Sequence, residues 1–131
     1  MKKSNFSFSK VTELSFEEAG EKVIEELKKE GLGVLADLSF SAILKTKLDV
    51  DFRPYRVLEA CNPPSALKAL RAEEQIGLLL PCNVIVYVDE EENTVVASID
   101  PIANLSLVKN EIVQEVAATI SEKLKNVIKN I

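Results

Sequence analysis

The sequence has no histidine and no tryptophan among its 131 residues. Histidine is the usual general acid or base near neutral pH, the commonest metal ligand, and the partner that activates many nucleophiles. Its absence excludes histidine-assisted hydrolases and most metal centres from the functions we expect. Glycine is also scarce, and the four glycines form no glycine-rich loop that would cradle a phosphate: Gly20, Gly31, Gly33 and Gly77.

Cysteine occurs twice, at positions 21 residues apart, so Cys61 and Cys82 do not form a C-x-x-C pair. Two thiols cannot complete a four-cysteine zinc site within one chain, although two chains together would supply four. We therefore expect no metal and no cofactor bound by the single chain.

The charge balance excludes two further classes of partner. With 16 basic and 21 acidic residues the net charge is −5, and the lysines are scattered rather than gathered on a basic face. The longest apolar stretch, from Ile76 to Val88, contains Gly77, Pro81 and Asn83 and is shorter than the ~20 residues of a membrane helix. The first residues lack the apolar core of a signal peptide. We expect a cytoplasmic protein that binds neither nucleic acid nor membrane.

The order of predicted elements indicates an α+β fold in a single domain spanning residues 1–131. Ser15 and Glu18 form a capping-box pattern that begins one helix, and a long apolar stripe predicts a C-terminal helix from Asn110 to Lys129. Strands are predicted over residues 6–14, 34–40, 55–61, 84–88 and 94–99, with one shorter helix over 41–48 and another that runs from Ala66 and ends near Gly77. We expect a two-layer domain whose mixed or mostly antiparallel sheet of about five strands carries helices on one face.

The connection between the third and fourth of these strands leaves two arrangements open. A strand, a helix and a strand from Tyr55 to Val88 fit a parallel pair joined by a right-handed crossover. Cys61 and Cys82 would then lie at opposite ends of their strands, too far apart for a disulfide. If residues 78–88 form one long bulged strand instead, the two thiols approach each other.

The predicted core combines residues from every main element. We expect the following side chains to be largely buried: Val23, Leu27, Leu58, Leu70, Val84, Val86, Val116, Ile120 and Leu124.

Four segments make the chain recognisable: D-F-R-P-Y-R-V-L at 51–58, A-C-N-P at 60–63, I-G-L-L-L-P-C-N-V at 76–84 and I-D-P at 99–101. In this order they resemble an uncharacterised family called domain of unknown function 302, and the resemblance covers most of the chain. It implies a small α+β domain that commonly self-associates and has no established activity.

Polar residues at the ends of strands form the candidate ligand or thiol site: Cys61, Asn62, Cys82, Asn83 and Asp100. Cys61 precedes a helix start, where the positive end of the helix dipole favours a thiolate. The alternative is that both cysteines are small buried apolar residues and that the Asn and Asp residues shape turns. Nothing in the spacing of Glu59 and Asp100 marks them as a catalytic pair of carboxylates.

The function we expect is a non-catalytic homodimeric module that binds a small ligand. Residues 84–88 place apolar side chains on both faces of the sheet, and helices on one side leave the other face uncovered. A second copy is the simplest cover, because two-fold dimers are the commonest oligomers. The alternative function is thiol-dependent redox, sulfur transfer or metal binding through Cys61 and Cys82.

Overall fold

A computed structural model describes all residues, 1–131, and consists of one six-stranded sheet and a layer of helices. The strands are β1 (Lys2–Lys3), β2 (Ser7–Thr12), β3 (Gly33–Ser39), β4 (Tyr55–Cys61), β5 (Cys82–Val88) and β6 (Thr94–Ile99). Their order across the sheet is β1-β2-β6-β5-β4-β3, and every neighbouring pair is antiparallel. The α+β prediction is confirmed.

Five α-helices and one 3₁₀ turn connect these strands. They are α1 (Phe16–Lys29), α2 (Phe40–Leu48), α3 (Pro63–Ala72), the 3₁₀ turn (Glu74–Leu78), α4 (Pro101–Asn104) and α5 (Glu111–Lys129). Helices α1 and α5 pack on one face of the sheet, which we call the inner face, and α3 packs on α5. The opposite face, called the outer face here, is approached by α2 alone, at β4.

The helices begin at the residues that the sequence indicates. Ser15 accepts a hydrogen bond from the amide of Glu18, whose carboxylate accepts one from the amide of Ser15, so the predicted capping box is present. Asn110 caps α5 by accepting from the amides of Ile112 and Val113. These caps satisfy amides that have no partner within the helix, and they fix where the two long helices start.

The core lies between the inner face and the helix layer. Leu58, Val84, Val86 and Val96 project from the central strands into it and are fully buried, as Phe8 is. Eight of the nine core residues expected from the sequence are buried. The prediction for the ninth, Leu70, is wrong, because its side chain is 45% exposed.

The exposure of Leu70 has a physical reason in the packing of α3. The buried residue of this helix is Ala69, flanked three residues away on each side by the half-buried Ala66 and Ala72. An alanine face allows α3 to approach α5 closely. Leu67 and Leu70 consequently lie on the solvent side of the helix.

Two expectations about the sheet are corrected. The two-residue strand β1 brings the number of strands to six rather than about five. The suggested parallel pair between Tyr55 and Val88 is wrong, because β4 and β5 are antiparallel neighbours with Ala60 opposite Cys82. Helix α3 packs on α5 and the 3₁₀ turn rather than along the strands, so the chain re-enters the sheet at the end where β4 left it.

The outer face is described by the cross-strand register. One row contains Tyr55, Tyr87, Val95 and Val11, and the next contains Leu38, Val57, Ile85, Ala97 and Ser9. A third row includes Ala36, Glu59 and Asn83. The outer face is therefore mostly apolar, and among these side chains only Glu59 carries a charge.

Candidate functional site

The two cysteines are neighbours in the structure. Cys61 ends β4 and Cys82 begins β5, with Ala60 directly opposite Cys82. Both thiols are free, and both line a small apolar cavity of about 30 Å³ at the end of the sheet. A cavity of this volume holds no more than about one water molecule. The separation argued from a parallel pair does not hold, because the strands run in opposite directions.

Burial works against thiolate formation at both positions. It raises the pKa of the Cys82 thiol to about 11, and the neighbouring Cys61 adds a smaller contribution in the same direction. Burial also raises the pKa of Cys61, which is opposite to the direction expected from the dipole of α3. Neither cysteine has the cationic neighbour that usually activates a thiol.

We expect Cys61 to react with iodoacetamide at least about tenfold faster than Cys82 at pH 8, because Cys61 is partly exposed whereas Cys82 is 4% exposed and rarely ionised. Alkylation of both thiols should accelerate as the pH rises, since the thiolate is the reactive form. Peptide mass spectrometry of timed samples measures the two rates separately. Faster labelling of Cys82 would contradict the assignment of the buried thiol.

Two of the polar candidates serve local structure. Asn62 caps α3 by accepting from the amide of Ser65, and its side-chain amide donates to the carbonyl of Gly31, which has a left-handed φ of 74°. Asp100 is buried and accepts from the amide of Ile102 and from the hydroxyl of Ser121 on α5, 3.0 Å away. These contacts engage both polar atoms of the Asn62 side chain and the Oδ1 atom of Asp100.

Asn83 belongs to a different place in the fold. Its side chain is exposed on the outer face directly opposite Glu59, and neither side chain has a hydrogen-bond partner or ion-pair partner within the chain. Both residues line a groove of about 450 Å³, which we call the outer groove. It is lined by Glu59, Leu78, Leu79, Leu80, Pro81, Asn83, Ile99 and Asn104. Of the five predicted site residues, Asn83 alone lines it.

Sequence reasoning gave no cause to select Glu59 for this groove. Its carboxylate becomes notable only through the register, which pairs it with Asn83, and through the fold of residues 78–81 beside it. The sequence signal that could have indicated Glu59 is a glutamate within the mostly apolar strand β4. This signal is weak, because an ordinary solvated surface charge gives the same pattern.

A second concavity on the outer face is aromatic. It measures about 430 Å³ and is lined by Phe40, Leu44, Phe52, Tyr55, Val57, Asn83 and Ile85. Tyr55 stacks on Phe40 and on Tyr87, with ring centroids 6.0 Å and 5.5 Å apart. Burial raises the pKa of the Tyr55 hydroxyl, so it remains a neutral hydrogen-bonding group in the physiological range.

The two arginines near the start of β4, Arg53 and Arg56, are engaged with other groups. Arg56 makes two hydrogen bonds to Asp37, 2.8 and 2.7 Å long, and this pairing lowers the pKa of the Asp37 carboxyl. Arg53 donates to the carbonyl of Val88 and lies over the ring of Phe52. Their guanidinium groups therefore do not converge on an anion-binding site.

No group of three or more Cys, Asp or Glu side chains is arranged to hold a metal ion. None of the helices combines the length and apolarity needed to cross a membrane.

The fold and sequence have known relatives. The family model described as domain of unknown function DUF302 matches residues 8–131. A crystal structure of an uncharacterized conserved DUF302 protein from Bacillus stearothermophilus is 29% identical and superposes with a TM-score of 0.89. The match covers 97% of this chain and 98% of the other. No curated protein matches the chain.

Proposed function

This chain belongs to the family called domain of unknown function DUF302, and we propose that it acts as a non-catalytic module that forms a homodimer in the cytoplasm and binds a small ligand. The single observation that carries the proposal is the outer face, an apolar sheet surface left uncovered except where α2 approaches β4.

The composition of the outer face favours a second copy as its cover. Charged residues make up 28% of the chain, yet among the outward-facing residues of the paired strands only Glu59 and, on the edge strand β1, Lys2 are charged. Depletion of charge and enrichment in tyrosine and phenylalanine are typical of the centre of a protein interface. The overall charge of −5 would oppose self-association elsewhere on the surface, but this face carries little of it.

The proposed interface uses the two apolar rows that contain Tyr55 and Val57, extended by Phe40 and Phe52, and leaves the row of Glu59 and Asn83 beside it uncovered. We expect the interface to bury roughly 1,200 Å² or more in total, as stable interfaces do. A two-fold axis would place each row against the same rows of the partner, which makes the contact self-complementary and closed.

The ligand-binding part of the proposal is supported by the outer groove. Its volume of about 450 Å³ lies within the usual range of small-molecule sites, and it combines apolar walls with a few unpaired polar groups. The absence of a histidine and of an activated thiol supports binding without catalysis. Two neighbouring free cysteines are compatible with a reducing compartment such as the cytoplasm.

Light scattering coupled to size exclusion at micromolar concentration tests the dimer. We expect a mass of twice the 14.5 kDa of one chain. A mass of one chain at concentrations up to roughly 100 μM would reject self-association, because a specific dimer of this interface class forms below that concentration.

A thiol-dependent function is the second candidate, and the proximity of Cys61 and Cys82 at adjoining strand ends favours it. The burial of both thiols and their raised pKa values weigh against it. Mass spectrometry of unreduced protein distinguishes the two candidates. We expect two free thiols, whereas a reversible Cys61–Cys82 disulfide would support redox chemistry.

A further inference from the structure

The outer groove lies at the end of the sheet where β5 begins. Residues 78–81, which start at the last residue of the 3₁₀ turn, form one wall, and Ile99 at the end of β6 contributes to the lining. Glu59 and Asn83, opposite each other on β4 and β5, contribute its polar side chains together with Asn104 of α4. All of these residues belong to one chain, so the groove is complete without a second copy.

The polar groups of the outer groove are rich in hydrogen-bond acceptors. Asn104 uses its side-chain amide to donate to the carbonyl of Leu79, 2.9 Å away, which leaves its side-chain oxygen as an acceptor. The Glu59 carboxylate offers two acceptor oxygens, and the Asn83 amide offers one acceptor and two donor hydrogens. A ligand that satisfies this set must donate more hydrogen bonds than it accepts.

The charge of the groove is negative and is not neutralised within the chain. Glu59 is half-buried, forms none of the ion pairs of the structure, and is the single charged residue in the lining. Because a partly buried carboxylate is less screened by water than an exposed one, it attracts a cation and repels an anion more strongly. One carboxylate is too few to hold Ca²⁺ or Mg²⁺, which require several charged oxygen ligands.

The remaining lining is apolar. Leu78, Leu79, Leu80, Pro81 and Ile99 surround the polar groups, and the Leu78 side chain is 82% exposed at the rim. An aliphatic or aromatic body would cover this surface and remove it from water, which is favourable in proportion to the apolar area buried.

We propose that the outer groove binds a small organic cation, with its ammonium or amidinium group on Glu59 and its apolar body against Leu78, Pro81 and Ile99. This inference rests on the ligand-binding part of the proposed function and specifies the class of ligand. It does not depend on the dimer, because one chain supplies every lining residue.

Benzamidine is a suitable probe, because its planar amidinium matches a carboxylate and its ring matches the apolar wall. We expect a titration of ¹⁵N-labelled protein to shift, in a saturable way, the backbone amide resonances of residues 59, 78–80, 82, 83 and 99. Benzoate has the same ring with the opposite charge and should leave these resonances unchanged. In Glu59→Gln the dissociation constant for benzamidine should rise about tenfold or more, since the charge is lost while the shape is kept.

Glu13→Gln is the matched control, because Glu13 is exposed just beyond β2 and makes none of the ion pairs or side-chain hydrogen bonds of the structure. It removes the same charge from the chain without touching the groove and should leave benzamidine binding unchanged. Equal affinity for benzoate, undiminished binding by Glu59→Gln, or the same shifts on adding Ca²⁺ alone would overturn the proposed ligand class.

Light scattering on the same samples measures their mass, so the ligand proposal and the dimer proposal can fail independently. Binding of benzamidine to a monomer would support the ligand class while rejecting the dimer. Saturable binding of benzoate in the groove would keep a ligand-binding module and reject a cationic ligand. Absence of binding by both probes in a dimeric sample would overturn the inference and leave self-association standing.

Discussion

Replacing Leu124 by alanine is expected to lower the free energy of unfolding by about 2–5 kcal/mol. Leu124 is fully buried on α5, within the cluster that joins this helix to the inner face and to α1. Removal of the methine carbon and the two methyl carbons of leucine loses their transfer free energy and leaves a cavity that close-packed neighbours fill only in part. Urea denaturation followed by circular dichroism measures the change, at one fixed protein concentration because association adds to apparent stability.

Leu70→Ala provides the control with identical side-chain chemistry. Leu70 is 45% exposed on the solvent side of α3, so its truncation should cost less than about 1 kcal/mol. A helical position favours alanine slightly over leucine, which reduces the cost further. Equal shifts of the two denaturation midpoints would mean that α5 is not packed on the sheet as described.

The elements of this fold could be predicted from sequence where the signal is local. The capping box at Ser15, the long apolar stripe of α5 and the hairpin of β5 and β6 each depend on residues close together in the chain. Strand β4 was predicted with the bounds that the structure shows, Tyr55–Cys61. Local patterns of this kind predict whether a segment is a helix or a strand more reliably than they predict which elements lie next to it in space.

The direction of β5 relative to β4 could not be predicted, because the connecting residues 62–81 could join either a parallel or an antiparallel pair of strands. The difference depends on whether α3 packs along the strands or on α5, which is a matter of long-range contacts. The error also affected the cysteines. Once β4 and β5 are antiparallel, Cys61 and Cys82 must lie at the same end of the sheet.

The candidate site was predicted only in part for the same reason. Asn62 and Asp100 have the polar side chains of a site but cap α3 and α4, a local structural role close to the turn-shaping alternative that the sequence offers. Glu59 was not selected, because its pairing with Asn83 depends on the β4–β5 register and not on spacing along the chain. Sequence identified strand ends as the place for function, and the register determined which residues meet there.

Replacing Ile85 by glutamate is expected to convert the proposed dimer into a folded monomer. Ile85 is half-buried at the centre of the outer face, between Val57 on β4 and Ala97 on β6. In a two-fold interface the substitution introduces two carboxylates that lose water without gaining a cation, at several kcal/mol for each ion. The dissociation constant of the dimer should rise on the order of a thousandfold or more.

Two further variants make the result interpretable. Val11→Glu lies at the edge of the outer face on a side chain that is already 59% exposed, so it tests the same surface without affecting the core of the monomer. Thr119→Glu adds the same charge on an exposed position of α5, behind the helix layer, and should leave the dimer intact. Light scattering gives the mass of each variant, and far-ultraviolet circular dichroism establishes that each is folded. If Ile85→Glu and Val11→Glu both keep twice the mass of one chain, self-association uses another surface, and the apolar outer face requires a different explanation.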